Sequence, residues 1–359
     1  MDRSATTINR HKNKGEIRAH SNALKPGLTE ANKRRRVKYC INQIEPDTLN
    51  TQPKFNAMAN IVHIDEKWFF LTRKNLHMYL ASKEKGPHRS TKSKNSIQKV
   101  MFMSAVARPR RNSDGAFIFP EKIGIWPFTY KYVAKKSSVN RPRGTVETKA
   151  ITKVNKIVFK KMMTENVIPA IKAQWPREEG NTTITIQADN AKPRGGADIY
   201  SFIESYSDEN FTFKWAPQPA NSPDLNILDL GLFNSLQSKY QKTMPETIDK
   251  MVEEVEKVYE DQHPKIISNV WHSLQYCMCE IIGCLGQDHY DLPHMKKQQF
   301  EDAGNLPWQV EPNKVKVEAA TEYLNQPVIA CAALRSGMQA TIEAGSEEEG
   351  SEDEGVKEW

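Results

Sequence analysis

The run Ile61–Phe70 constrains the fold more than any other part of the sequence. Its residues are mostly β-branched or aromatic, which is typical of a strand, yet the ionisable residue Asp65 stands in the middle of it. A second run, residues 182–189, alternates between polar and apolar side chains and ends at Asp189. Burying an ionised carboxylate costs on the order of several kcal/mol unless something compensates it. Two carboxylates on predicted strands therefore need a structural or a functional explanation.

Further strands and helices are predicted around these two runs. Strands are predicted at residues 77–81, 96–108 and 211–215, and helices at residues 29–44, 151–174, 222–239, 246–260 and 264–284. Residues 125–150 are basic and show no clear periodicity, which predicts irregular structure. The order of these elements indicates an α/β fold in which helices flank a mixed sheet.

Positive charge is concentrated in the N-terminal half of the chain. Residues 1–60 carry 12 Lys and Arg against 5 Asp and Glu, and residues 61–160 carry 22 against 6. The last 21 residues reverse this balance, with 8 acidic side chains and one lysine. The basic half favours a polyanionic partner, and the acidic end from residue 345 onward is predicted to be disordered.

Several classes of protein are excluded by composition. The longest apolar run, residues 328–334, is far shorter than the roughly 18 residues of a membrane span. The N-terminus is basic and polar and lacks the apolar core of a secretory signal. Five cysteines, four of them beyond residue 276, do not form a disulfide framework and indicate a reducing compartment.

A third carboxylate, Asp229, borders the apolar stripe of a predicted helix. Taken singly, Asp189 could close an Asx-turn and Asp65 could pair with Lys67. Three such carboxylates brought together around one sheet would repel each other, and divalent cations would relieve the repulsion. An all-oxygen site favours Mg²⁺ or Mn²⁺. Two such ions can activate a water or a 3′-hydroxyl and stabilise the leaving oxygen of a phosphodiester.

The segments that contain these acids resemble the three catalytic blocks of mariner-like transposases. The segments are residues 63–69 (HIDEKWF), 187–193 (QADNAKP) and 218–229 (QPANSPDLNILD). Thirty-nine residues separate Asp189 from Asp229, as in the mariner branch whose third acid is Asp. Residues 25–29, 123–128, 140–144 and 292–296 also resemble family segments. The resemblance extends from about residue 6 to about residue 310.

This resemblance implies a ribonuclease H-like core in which Asp65, Asp189 and Asp229 are catalytic and hold two Mg²⁺ or Mn²⁺ ions. It also implies cut-and-paste transposition on double-stranded DNA, with hydrolysis at transposon ends followed by strand transfer to target DNA. A homodimer and nuclear action follow from the same resemblance, and the basic run at residues 33–38 matches a nuclear-localisation pattern. Contacts to DNA are expected from Arg34, Arg35, Arg36, Lys135, Lys136, Arg141, Arg143, Lys192 and Arg194.

Four regions are predicted along the chain: a basic helical arm at 1–56, a catalytic domain with a helical C-terminal part at 57–310, an extension at 311–344 and the acidic tail at 345–359. The family begins with two helix-turn-helix modules, of which only residues 4–10 have a counterpart here, so we expect an N-terminally truncated catalytic domain. Arg194 stands where the family often has His. The alternatives are a non-catalytic DNA-binding protein derived from a transposase and a decayed copy without a role, and the sequence does not separate these two.

Overall fold

The computed structural model describes residues 27–72, 97–112, 117–119, 121–139, 141–176, 180–191, 196–243, 245–290 and 307–327, together with the single residues 10 and 14. The predicted strand at 77–81, the helix-turn-helix remnant at 4–10 apart from its last residue, the family segment at 292–296 and the acidic tail lie outside these residues.

A five-stranded sheet forms the centre of the molecule. The strands in the described part of the chain are β1 (Ile61–Phe70), β2 (Lys99–Val106), β3 (Arg110–Arg111), β4 (Phe117–Phe119), β5 (Lys122–Pro127), β6 (Thr129–Val133), β7 (Val146–Ala150), β8 (Thr182–Ala188) and β9 (Phe211–Pro217). The central sheet has the order β5-β2-β1-β8-β9. β2 runs antiparallel to β1 and β5, whereas β8 runs parallel to both β1 and β9. This mixed sheet is the ribonuclease H-like arrangement predicted from the sequence.

The strands that carry the first two acids form where the sequence predicts them. The prediction of irregular structure at residues 125–150 is wrong, because β5 is an integral strand of the central sheet and β6 and β7 form a hairpin. The hairpin strands have exposed or half-buried side chains only, and both strands carry polar side chains on both faces. The alternation of polar and apolar residues that reveals a half-buried strand is therefore missing from them.

Helices cover both faces of the sheet. They are α1 (Glu30–Ile41), α2 (Lys156–Met162), α3 (Ile168–Gln174), α4 (Asp198–Glu204), α5 (Phe233–Tyr240), α6 (Ile248–Glu260), α7 (Pro264–Gly283) and α8 (Lys314–Asn325). Side-chain caps define several of their starts: the Thr29 hydroxyl accepts a hydrogen bond from Asn32 N at 3.2 Å at the start of α1. None of the described helices combines the length and the apolar character needed to cross a bilayer.

The two faces of the sheet have separate hydrophobic cores. Ile64 of β1 and Ile186 of β8 pack with α2, α3 and α4 on one face. Because side chains alternate along a strand, His63, Asp65 and Gln187 point to the opposite face. That face is covered by α1 and by α5 to α8, which share the second core.

Helices α1 and α8 belong to this second core. Val37 of α1 and Val317 of α8 are both buried in the same cluster as Trp271 of α7. Residues before position 56 and after position 310 therefore pack in one core with the helices between them, and the boundaries at these two positions stay predictions.

Candidate active site

β1 places the first acid inside the molecule. Asp65 is only 6% exposed and lies on the sheet face that α5 to α8 cover. Its Oδ1 atom accepts a hydrogen bond from Glu66 N at 2.8 Å. A strand of β-branched and aromatic residues thus holds a carboxylate among helices, where its charge needs compensation.

The second acid follows β8 on the same face. The parallel pairing of β1 with β8 sets His63 opposite Gln187, so Asp65 and Asp189 each lie two residues further along neighbouring strands. Asp189 Oδ1 accepts a hydrogen bond from Ala191 N at 2.9 Å, which closes the Asx-turn considered from the sequence. The structural role and the catalytic role of Asp189 are compatible, because a carboxylate offers two acceptor oxygens.

The segment that leads to the third acid is tied directly to β1. Ile227 N donates a hydrogen bond of 3.2 Å to His63 Nδ1, and Asn226 Nδ2 donates one of 3.4 Å to Ile64 O. Both acceptors lie within two residues of Asp65. The start of the helix that carries Asp229 is therefore anchored beside the first acid.

A second link joins the same segment to β8. Gln187 Nε2 donates a hydrogen bond of 2.8 Å to Leu225 O, and the Gln187 side-chain oxygen accepts one from the Tyr39 hydroxyl of α1. Gln187 lies two residues before Asp189, and Leu225 lies four residues before Asp229. All three acid-bearing segments are thus joined by side-chain hydrogen bonds close to the acids.

The third segment differs from the continuous helix predicted at residues 222–239. A short 3₁₀ turn, Pro223–Leu225, is followed by Asn226 in an extended conformation. A π-helical turn, Leu228–Leu232, then leads into α5. The break arises because Asn226 Oδ1 accepts the hydrogen bond of Leu228 N at 3.0 Å and starts a new helix there. Asp229 lies in the first turn of that helix and is exposed.

His63 is held in its neutral form. Burial lowers the pKa of the imidazole to about 3, and its ring packs edge-on against Trp271 with 4.7 Å between centroids. Unprotonated Nδ1 is the atom that accepts the Ile227 N hydrogen bond.

Sequence reasoning missed His63, Gln187 and Asn226. The signal was present for the first two, since each is a polar residue at a core-facing position two residues before an acid.

Comparison with known proteins gives matches among solved structures. No protein-family model matches the chain, and no curated protein matches it. Among solved structures, the Mos1 mariner paired-end complex with Mn matches with a TM-score of 0.53 and 15% identity, over 80% of this chain and 71% of that one. The complex with Mg matches with a TM-score of 0.52 and 16% identity, over the same 80% and 71%. The Mos1 transposase paired-end complex with the left transposon end has a TM-score of 0.52 and 15% identity, over 79% and 70%.

The chain has the fold of Mos1 transposase. At these sequence identities the likeness concerns the fold alone. The Mos1 structures include complexes with Mn, with Mg and with transposon-end DNA.

The donor chemistry of the three acids fits a divalent cation, although their side chains do not converge on one point. Three carboxylates supply an all-oxygen donor set, which Mg²⁺ and Mn²⁺ prefer. Across the described ranges, no group of three or more His, Cys, Asp or Glu side chains lies close enough to hold a metal ion. Hydrogen bonds therefore bring the three segments of the Mos1-like core together, while Asp65, Asp189 and Asp229 do not form a ready ligand cluster.

Two of the three arginines expected to contact DNA from α1 bond inside the protein instead. Arg36 is fully buried, and Arg34 donates hydrogen bonds to the carbonyls of Tyr323 and Leu324 at the end of α8. Arg35 is exposed. The basic run at 33–38 is consequently part of a packed helix.

The basic residues of the β6–β7 hairpin are mostly accessible. Lys135, Lys136 and Arg143 are exposed near its turn, whereas Arg141 Nε pairs with Glu147 across the hairpin at 3.1 Å. The hairpin therefore presents a basic surface to solvent. Lys192 and Arg194 lie outside the described residues.

Proposed function

We propose that this chain is a mariner-like transposase with three catalytic aspartates. It hydrolyses DNA phosphodiesters at transposon ends and transfers the freed strand to target DNA, in a reaction that depends on a divalent metal. The observation that carries the proposal is the hydrogen-bonded junction of the three acid-bearing segments, in which Ile227 bonds to His63 and Gln187 bonds to Leu225. The fold shared with Mos1 supports it.

Asp65, Asp189 and Asp229 are the residues that would hold two Mg²⁺ or Mn²⁺ ions. Such ions activate the attacking oxygen and stabilise the leaving oxygen when they are bound. The protein supplies the frame: neutral His63 accepts a backbone hydrogen bond without adding charge next to Asp65, and Gln187 holds the third segment against β8. No side-chain nucleophile is needed for this chemistry.

Double-stranded DNA is the proposed substrate and partner. The exposed residues Lys135, Lys136 and Arg143 offer cations to the phosphates. Chains of this class join two transposon ends, so we propose a homodimer on DNA, which light scattering of the chain with and without end DNA tests. Nuclear action is proposed from the DNA substrate and not from the run at 33–38, and a fluorescent fusion in cells tests it.

Strand nicking of supercoiled DNA with Mn²⁺ tests the catalytic proposal. The variant Asp65→Ala is compared with Asp261→Ala, a matched control at the exposed end of α6 whose side chain makes no hydrogen bond or ion pair within the described residues. We expect Asp65→Ala to lose at least about a hundredfold in rate, because an essential metal ligand is removed, and Asp261→Ala to behave as the unaltered chain. DNA binding without nicking by any of the three proteins would favour the non-catalytic alternative.

A further inference from the structure

We infer that Arg36 is a positioning residue for the third acid, acting through Asp224. This inference rests on the proposed function, because it concerns the same three-acid site. It assigns to helix α1, which the sequence places in a DNA-contacting arm, a part in assembling the catalytic centre.

The contact between Arg36 and Asp224 is a fork of two short hydrogen bonds. Arg36 Nη1 lies 2.7 Å from Asp224 Oδ1, and Arg36 Nη2 lies 2.6 Å from Asp224 Oδ2. Arg36 has no exposed side-chain surface, and Asp224 has 21%. A bidentate guanidinium–carboxylate pair fixes orientation as well as distance, which a lysine ammonium does not do.

Other bonds complete the surroundings of this pair. Arg36 Nε donates to Gly286 O at 2.9 Å, and the Tyr290 hydroxyl donates to Asp224 Oδ2. Gly286 has a φ of +86°, and a Cβ built on it would lie 2.3 Å from Lys33 O. The backbone after α7 thus approaches the backbone of α1 so closely that a side chain at this position would prevent it.

Asp224 belongs to the segment that sets the place of Asp229. It lies in the 3₁₀ turn Pro223–Leu225, five residues before the acid. The sheet holds this segment from one side, through Gln187 and His63. Arg36 holds it from the side of α1. The break at Asn226 needs both constraints, because a short 3₁₀ turn and an extended residue have little stability of their own.

Loss of the Arg36 guanidinium would leave the Asp224 carboxylate partly buried with the Tyr290 hydroxyl as its remaining described partner. Breaking a buried ion pair by removing one member is costly. The 3₁₀ turn then shifts so that the unpaired Asp224 carboxylate reaches water, and Asp229 moves with the turn. The expected consequence is weaker metal binding, with the DNA-binding surface on the β6–β7 hairpin unchanged.

The test compares Arg36→Met, Arg36→Lys and Asp224→Asn with Lys38→Met, a control at an exposed position on the same helix that is not among the expected DNA contacts. Hydrogen exchange is measured at the amides of Ile227, Leu228 and Leu230, which are hydrogen-bonded in the structure. We expect exchange at these amides to rise about tenfold in Arg36→Met because local opening becomes easier. Arg36→Lys and Asp224→Asn should give smaller increases, and Lys38→Met none.

The second readout is the Mn²⁺ concentration that half-saturates nicking, with DNA affinity measured in parallel. We expect the half-saturating Mn²⁺ concentration to rise about tenfold or more in Arg36→Met, as it does when groups that orient metal ligands are removed. Arg36→Lys should restore part of the loss. DNA affinity should stay within about twofold of the unaltered chain. A loss of fold alone would not move the Mn²⁺ dependence while DNA affinity is retained. If Arg36→Met does not fold, Arg36→Lys and Asp224→Asn are compared with the unaltered chain in its place.

The inference is overturned if folded Arg36 and Asp224 variants match the unaltered chain in both amide exchange and Mn²⁺ dependence. Its failure is distinguishable from failure of the proposed function. If the unaltered chain does not nick DNA, the catalytic proposal fails, and amide exchange together with Mn²⁺ binding by calorimetry still decides whether Arg36 holds the segment.

Discussion

Glu121 is a buried carboxylate that the sequence does not single out. It is fully buried, and neither carboxylate oxygen has a hydrogen-bond partner in the described part of the chain. Burial raises the pKa of this carboxyl to about 7; Lys122 opposes the rise and Glu260 adds to it. Glu121 also has a positive φ of 40°, which an L residue adopts at some cost.

This environment predicts a pH-dependent stability. The folded-state pKa of Glu121 lies above the ordinary value of 4.5. Ionisation of the buried carboxyl therefore destabilises the folded state, fully above pH 7 and less and less as the pH falls toward 4.5. Glu121→Gln should raise the free energy of unfolding by roughly 1–3 kcal/mol at pH 8 and change it little at pH 5. Urea unfolding at both pH values measures this. An equal effect at the two pH values would contradict the assignment.

Single residues also show which features of the site can be predicted from the sequence. The local pattern singles out Asp65 as a carboxylate inside a strand of β-branched and aromatic residues and Asp189 as a carboxylate at the end of an alternating strand; their catalytic role stays a prediction. Arg36 was assigned to DNA because the run at 33–38 is locally a basic helix, and its partner Asp224 lies 188 residues away. The break at Asn226 was missed for the same reason, since its bond to β1 spans 162 residues. Local pattern predicts elements and faces, whereas these contacts depend on tertiary pairing.

At the scale of elements, the helix that carries Asp229 is set by its contact with α7. Gly231 lies in the π-helical turn, and a Cβ built on it would lie 2.9 Å from Val270 Cγ2. The neighbouring residues Leu228 and Leu232 are fully buried in the core shared with α7. The absence of a side chain at Gly231 therefore allows this close approach of the two helices.

Gly231→Ala should push the two helices apart. We expect a loss of roughly 1–3 kcal/mol in the free energy of unfolding, together with slower nicking because Asp229 moves. Val270→Ala makes room for the new methyl group, so the double variant Gly231→Ala with Val270→Ala should be more stable than additivity of the two single changes allows. Urea unfolding of all four proteins measures the coupling. Strict additivity would show that the Gly231–Val270 contact does not set the helix position.

At the scale of the whole molecule, the exposed basic residues of the hairpin lie on a different element from the three acids. Asp65 and Asp189 lie on the helix-covered face of the central sheet and Asp229 is exposed at the start of its helix, whereas Lys135, Lys136 and Arg143 are exposed on a hairpin outside that sheet. Asp249 of α6 bonds to Lys131 and Thr148 of the hairpin. The basic surface is therefore attached to the helical layer of the core.

Neutralising this surface should weaken DNA binding in a salt-dependent manner. Each phosphate contact contributes about 0.9 to the slope of log K against log salt concentration, so the double change Lys135→Gln with Lys136→Gln should reduce the slope by roughly 2. The control Lys314→Gln, an exposed position on α8, should leave it unchanged. Fluorescence anisotropy over a salt series measures the slopes. An unchanged slope in the hairpin variant would exclude these lysines as phosphate contacts.

We propose that three aspartates on separate segments form one divalent-metal site. Isothermal titration of the chain with Mn²⁺ tests it most directly, with Asp65→Asn, Asp189→Asn and Asp229→Asn measured beside the control Asp261→Asn. We expect saturable Mn²⁺ binding that each of the three site changes weakens by about tenfold or more and that the control leaves intact. Mn²⁺ binding that is the same in all five proteins would contradict it.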